Sequence, residues 1–326
     1  MSVPQTLVVA AGLLAAPAAA PPADCSGTAP IVCHYDVAPG NYDIGATVGS
    51  GTGLTVEARR RILEPGPAGP RSATVNVREP EGQPTGQGGT GTPGLTLTFD
   101  GTAPTVSSLT VTAARRPLVV YLAGDSTVCD QPVSPYTGWG QILPRSVARG
   151  AVVANWSDSG ESSGSFLATA TLFPAMKPLI KPGDLVLIQF GHNDKTTTAD
   201  AYRANLTALV DGVREKGGRP VLVTPVVRRL FDGAALTPTA LHVNSLGVDL
   251  PAEMRAVAAT ERVPLLDLTA KSEALVEGLG PADSAPLYLT DINDNTHFSE
   301  YGAGRIADLV LAGVRELHLP LDAFLR

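Results

Sequence analysis

Leu118-Val119-Val120-Tyr121-Leu122-Ala123-Gly124-Asp125-Ser126-Thr127 is the stretch from which the fold follows. Its first part is apolar without alternation. A strand of that kind is buried on both faces, as in a parallel sheet covered by helices on each side. The turn that ends it leaves Ser126 just past the strand's carboxyl end. Similar apolar runs recur at 152–156, 185–190, 220–224 and 264–268. Helical patterns fall between and after them, at 139–149, 164–176, 200–216, 251–261, 270–279 and 299–317. Buried strands alternating with helices predict a doubly wound α/β domain. Ligands in such sheets bind beyond the carboxyl ends of the strands. Ser126, Gly160 and Asn193 each follow a predicted strand and are therefore expected on one rim.

The texture changes upstream of Arg115-Arg116-Pro117. Residues 24–114 are rich in Gly, Thr, Val and Pro, with alternating runs at 54–58, 73–78, 95–99 and 109–112. Period-two alternation between turn signals reads as antiparallel strands, and several of them predict a small β-sandwich. The Gly/Pro/Gln stretch at 79–94 reads as a long loop. The α/β domain is expected over 115–326. Residues 1–23 carry an apolar stretch followed by small residues, including Ala16-Pro17-Ala18, and read as a secretory signal. The run is too short to span a membrane. Secretion would permit a Cys25–Cys33 disulfide, leaving Cys129 as a small packing residue.

A chain of 326 residues that is 44% hydrophobic can build two domains around sizeable cores. The net charge of −7 argues against a nucleic-acid binder, which would present a basic face. No pair among the five histidines and three cysteines has zinc-ligand spacing. Neither metal nor cofactor is expected.

Ser126, His297 and Asp294 are the parts of an acyl-transfer site. A serine hydroxyl needs a base, here His297. The imidazole needs a carboxylate to set its tautomer, and Asp294 lies three residues earlier. The helical pattern that begins near Phe298 would seat the histidine at a helix start. The alternative is a solvated turn whose aspartate caps that helix. The oxyanion needs donors, for which the candidates are the Ser126 amide, the Gly160 amide and the Asn193 side chain. Asp125 and Thr127 orient the serine loop. Gly160-Glu161-Ser162-Ser163-Gly164 matches the G-x-S-x-G elbow and makes Ser162 a rival nucleophile. The elbow normally follows more strands than precede it here, and no His-Gly oxyanion segment lies upstream. Gly49-Ser50-Gly51-Thr52-Gly53 has no following helix and is a turn. Trp139 either stacks on a sugar or packs the first helix. Arg228 and Arg229 either bind an anionic glycan or belong to a solvated loop.

Gly124-Asp125-Ser126-Thr127, Gly138-Trp139-Gly140-Gln141, Gly191-His192-Asn193-Asp194, Thr224-Pro225-Val226-Val227-Arg228-Arg229 and the words from Asp294 to Ala303 resemble the SGNH (GDSL-like) hydrolase superfamily. Within it the chain is similar to the rhamnogalacturonan acetylesterase group of carbohydrate esterases. The resemblance implies a flavodoxin-like three-layer αβα domain and an acetyl-serine intermediate. It also implies acetylated pectic polysaccharide as substrate and no cofactor. The β-rich amino-terminal domain is similar to those of some bacterial members. Glu161 follows Gly160 where the group often has arginine, which bears on how an anionic polymer is bound. A lipid or aryl esterase on the same fold, and a glycan-binding protein with a degenerate site, are the alternatives. The intact triad opposes the latter.

Overall fold

The structure, a computed structural model, describes residues 22, 24–87 and 92–326. The expected signal segment therefore lies outside the described residues, Pro22 apart. Among the described residues no helix is long and apolar enough to cross a membrane.

The strands Ala151–Asn155, Leu118–Ala123, Leu185–Ile188, Arg219–Val223 and Leu265–Leu266 lie side by side in that order, all parallel. In chain order this is 2-1-3-4-5, the doubly wound order of flavodoxin-like sheets. Side chains alternate across the sheet. Val120, Leu122, Val153, Leu187 and Val221 join one apolar cluster with Trp139, Val276, Ile306 and Val310. Val119, Tyr121, Val152, Val186 and Leu222 join a second cluster with Phe166, Leu206, Val213 and Met254. The apolar runs are thus explained by helices on both faces.

Helix breaks follow local chemistry. The pattern at 139–149 becomes the α-helix Trp139–Ile142 and then a 3₁₀ turn at Leu143–Ser146, because Pro144 cannot continue an α-helical ladder. The pattern at 164–176 divides into Ser163–Ala168 and Phe173–Met176, with Pro174 in the first turn of the second. Leu268–Asp283 is kinked at Gly280-Pro281, where Gly280 takes φ 71°.

The amino-terminal part forms two antiparallel sheets. One runs Cys25–Ser26, Ile31–Tyr35, Leu95–Asp100, Thr52–Val56 and Arg60–Gly66. The other runs Gly69–Val77, Gly40–Val48 and Val106–Ala113. Cys33, Leu54, Leu97 and Phe99 of the first share one buried cluster with Ile44, Val48, Val75 and Val106 of the second. Cys25 and Cys33 face each other in register and are disulfide-bonded.

These sheets dock onto the α/β part through buried polar contacts. Arg60 Nε lies 3.0 Å from Asp130 Oδ2, both side chains being almost fully buried. Gln141 Nε2 donates to the Ala58 carbonyl at 2.6 Å. Arg78 donates to the Asn155 carbonyl at 3.3 Å, at the end of a parallel strand.

Candidate active site

The Leu118–Ala123 strand has Ala151–Asn155 on one side and Leu185–Ile188 on the other. The loops carrying Ser126, Gly160 and Asn193 therefore leave three adjacent strands at the same edge. Side chains then tie those loops together. Asp125 Oδ1 accepts from the Thr127 amide at 2.9 Å and its hydroxyl at 2.7 Å. Asp125 Oδ2 meets His192 Nδ1 at 3.2 Å. Asn193 Nδ2 donates to the Glu161 carbonyl at 3.0 Å. Asp194 accepts from the amide and hydroxyl of Ser163. The Ser126 carbonyl accepts from Gln131 Nε2 at 3.0 Å.

The remaining pieces arrive on the short strand Asp294–Phe298, which pairs with Tyr288–Leu289. Asp294 Oδ1 accepts the backbone N–H groups of Thr296 at 2.8 Å and His297 at 2.9 Å. Its Oδ2 lies 2.7 Å from His297 Nδ1, and His297 Nε2 lies 2.9 Å from Ser126 Oγ. An ionised carboxylate only accepts, so Nδ1 carries the proton and Nε2 offers its lone pair to the serine hydroxyl. Burial alone would raise the Asp294 carboxyl. The two amides and the His297 ring outweigh it and hold the carboxyl below its ordinary value. The arrangement can remove a proton from Ser126 and return it to a leaving group. His297 does not sit at the helix start. The helix Glu300–Glu316 is capped by Ser299, whose hydroxyl accepts from the Gly302 amide at 3.0 Å, so Asp294 is not its cap.

Gly160 has φ +86°, and a Cβ there would meet nothing within 4 Å. Glycine is favoured at that position by backbone conformation, and space is not the limit. Asn193 commits one N–H to Glu161 and retains a second donor. Glu161 is partly buried, which pushes its carboxyl up.

Ser162 is placed otherwise. It caps the Ser163–Ala168 helix in a reciprocal capping box with Ser165. Trp139 is 0% exposed, donates from Nε1 to Gln189 Oε1 at 2.9 Å and joins the core. A sugar ring cannot reach it, so of its two expected roles the structure has packing. Its neighbours explain the rest of the Gly-Trp-Gly-Gln word. A Cβ on Gly140 would lie 2.5 Å from Leu122 Cδ1, beneath the serine loop.

Arg228 and Arg229 are not a solvated loop. Arg228 donates to Thr296 Oγ1 at 2.5 Å and to the His192 carbonyl at 2.9 Å. Arg229 donates to Asn295 Oδ1 at 2.8 Å and to the carbonyl of Pro281. Both brace the strand that carries His297.

Three supporting residues escape sequence reasoning. His192 stands in the Gly-His-Asn-Asp word, but nothing local pairs it with Asp125. Burial pushes its imidazole down, so it is neutral near pH 7. Gln131 is one polar residue in a loop. Gln83 sits in the amino-terminal part, yet its Oε1 accepts from the Ser159 amide at 2.7 Å, one residue before Gly160. Nearby, the Thr85 amide donates to Asp158 Oδ2 at 2.8 Å. Among the described residues no group of three or more His, Cys, Asp or Glu is placed to hold a metal ion.

Comparison with known proteins bears on this geometry. The family model of the GDSL-like Lipase/Acylhydrolase family matches residues 122–305. The chain is 41% identical over 224 residues to rhamnogalacturonan acetylesterase RhgT of Bacillus subtilis (strain 168), covering 64% of this chain and 94% of that protein. It is 35% identical over 213 residues to the probable rhamnogalacturonan acetylesterase YesY of the same organism, covering 62% and 94%. Among solved structures it resembles protein YXIM_BACsu from Bacillus subtilis, with TM-score 0.56 at 22% identity over 89% of this chain and 81% of that one. That likeness concerns the fold, and its extent reaches beyond the parallel-sheet part into the amino-terminal sheets.

Proposed function

The chain belongs to the GDSL-like lipase/acylhydrolase family, and from that premise we propose that it removes O-acetyl groups from a pectic polysaccharide of the rhamnogalacturonan type. It is a carboxylic ester hydrolase. One observation carries the chemical reading: His297 joins Ser126 Oγ at 2.9 Å to Asp294 at 2.7 Å in a single file. The substrate class is supported by the 41% identity to RhgT across 94% of that protein.

Ser126 Oγ attacks the acetyl carbonyl carbon as His297 Nε2 takes its proton. Asp294 holds Nδ1–H and stabilises the imidazolium. The oxyanion is met by the amides of Ser126 and Gly160 and by the free N–H of Asn193. His297 then protonates the sugar oxygen, the C–O bond breaks, and acetyl remains on Ser126. Water attacks that ester with His297 as base, releasing acetate and restoring the serine. Each preorganised donor contributes about 3 kcal/mol in the transition state.

The chain divides at about residue 115 into two modules in this reading. Residues 24–114 form a β-sandwich that braces the Gly160 loop through Gln83. The leader at 1–23 directs secretion, where pectic polymers are met. The test is acetate release from a panel of acetylated pectins, xylan and chitin oligomers. Release chiefly from pectic rhamnogalacturonan supports the proposal. Preference for long-chain acyl esters, or no turnover of any ester, overturns it.

A further inference from the structure

A pocket of about 380 Å³ has walls that include Gly191, His192, Lys195, Arg228, Leu230 and His242. Its described lining holds two permanent cations and no Asp or Glu. For a chain of net charge −7 this is a local reversal of sign. Lys195 is exposed, and its ammonium has no hydrogen bond or ion pair among the described residues. Arg228 uses one N–H on Thr296 Oγ1 and one on the His192 carbonyl, which leaves donors to spare. Those two bonds land on the residues before His297 and Asn193, and the wall residue His192 meets Asp125, the residue before Ser126, so the pocket's walls are bonded to the chain segments that carry the reacting groups. The carboxylates whose fields reach Arg228, Asp125 and Asp294, are each committed to a histidine.

The pocket is also built to hold its shape. Asn244 Nδ2 donates to the carbonyls of Asp194 at 3.0 Å and Thr197 at 2.8 Å. Ser245 Oγ donates to the Lys195 carbonyl at 2.5 Å. The wall segment of Asn244 and Ser245 is therefore tied to the loop that carries Asn193. Leu230, Val243 and Leu250 add apolar surface. Two cations and several apolar residues in one lining suit a sugar ring bearing a carboxylate. A bare phosphate would gain nothing from the apolar part.

We propose that this pocket is a subsite for a uronate residue of the acetylated polymer, with Lys195 and Arg228 receiving its carboxylate. The proposal rests on the acetylesterase reading for the source of the sugar, but its binding chemistry can be tested without turnover. Arg228 is a fixed donor that also braces the histidine strand, so Lys195 is the residue to change.

The experiment measures oligogalacturonate binding by calorimetry to the full chain carrying Ser126→Ala, alone and combined with Lys195→Ala or Lys195→Arg. An exposed charge contact predicts up to about a fivefold loss of affinity for Lys195→Ala, largely restored by Lys195→Arg. In proteins that retain Ser126, Lys195→Ala should raise KM for acetylated pectic oligosaccharides relative to acetylated xylo-oligosaccharides by a similar factor. Equal binding with and without Lys195, or no binding to either protein, overturns the subsite whatever the esterase does. Oligogalacturonate binding that depends on Lys195, in a protein that releases no acetate from any polymer, supports the subsite and counts against the esterase reading alone.

Discussion

Asp294→Asn changes one atom and should nearly abolish turnover. Asp294 Oδ1 accepts two backbone N–H groups, at 2.8 and 2.9 Å, while Oδ2 faces His297 Nδ1 at 2.7 Å. An asparagine keeps both backbone bonds only with its oxygen in the place of Oδ1. Its NH2 then points at Nδ1, which must give up its proton to accept. The ring is forced into the tautomer with hydrogen on Nε2, and Nε2 can no longer receive the proton of Ser126. Turning the amide over sets its NH2 against two N–H donors and loses about 1 kcal/mol for each bond. The negative charge that stabilised the imidazolium is gone in either orientation. Unit charges about 4 Å apart at an effective dielectric near 20 contribute about 4 kcal/mol. The sum, about 6 kcal/mol, corresponds to roughly a 10⁴-fold fall in kcat. Initial rates on p-nitrophenyl acetate measure it, with melting curves as a control. Because the fold holds the Asp294 carboxyl low, its share of stability is present at neutral pH and is lost as pH falls through that lowered value. Wild type and variant should therefore converge in Tm at acid pH. Activity within about tenfold of wild type would refute the file of three residues as the source of turnover.

Ser126→Ala should abolish p-nitrophenyl acetate turnover, whereas Ser162→Ala should keep it and lose about 1 kcal/mol of stability with its helix cap; the reverse pattern would restore Ser162 as nucleophile. Gln83→Ala frees the Ser159 amide beside Gly160, so kcat should fall about tenfold with KM held and with weaker binding of a boronate that mimics the tetrahedral intermediate; a drop in Tm with kcat intact would reduce Gln83 to a structural contact. Burial raises the Glu57 carboxyl to about 7. Its contribution to stability is thus full below the ordinary glutamate value and is lost as pH rises through about 7. Glu57→Gln keeps the acceptor for the Thr96 amide, so it should raise Tm relative to wild type at pH 8 more than at pH 4, and equal effects at both would contradict the buried carboxyl.

Much of the α/β part was legible because its signals are local. The Leu118–Ala123 run is apolar throughout because both faces of that strand are covered, and the observed strand has those same bounds. The helices Ala199–Glu215 and Glu300–Glu316 also follow their patterns within a residue or two. Pro144 and Pro174 divide patterns that hydrophobic periodicity alone runs together. In the amino-terminal part the strand Gly40–Val48 has no counterpart among the alternating runs of the sequence. Gly40, Asn41, Asp43 and Gly45 dilute its alternation, although Ile44, Ala46 and Val48 all point into the core.

By itself the sequence determined the parallel sheet, the rim on which three loops end and the residue types gathered there, since each follows from short-range pattern and composition. Only the tertiary structure decided what those residues touch. Ser126 and His297 stand 171 positions apart yet share a 2.9 Å contact. It also decided that Trp139 lies inside the core, that Arg229 holds Asn295, and that a glutamine from the amino-terminal part supports the loop of Gly160. Hydrogen bonds act over about 3 Å and depend on direction, so partners remote along the chain leave no mark on local pattern until the core brings their backbones together.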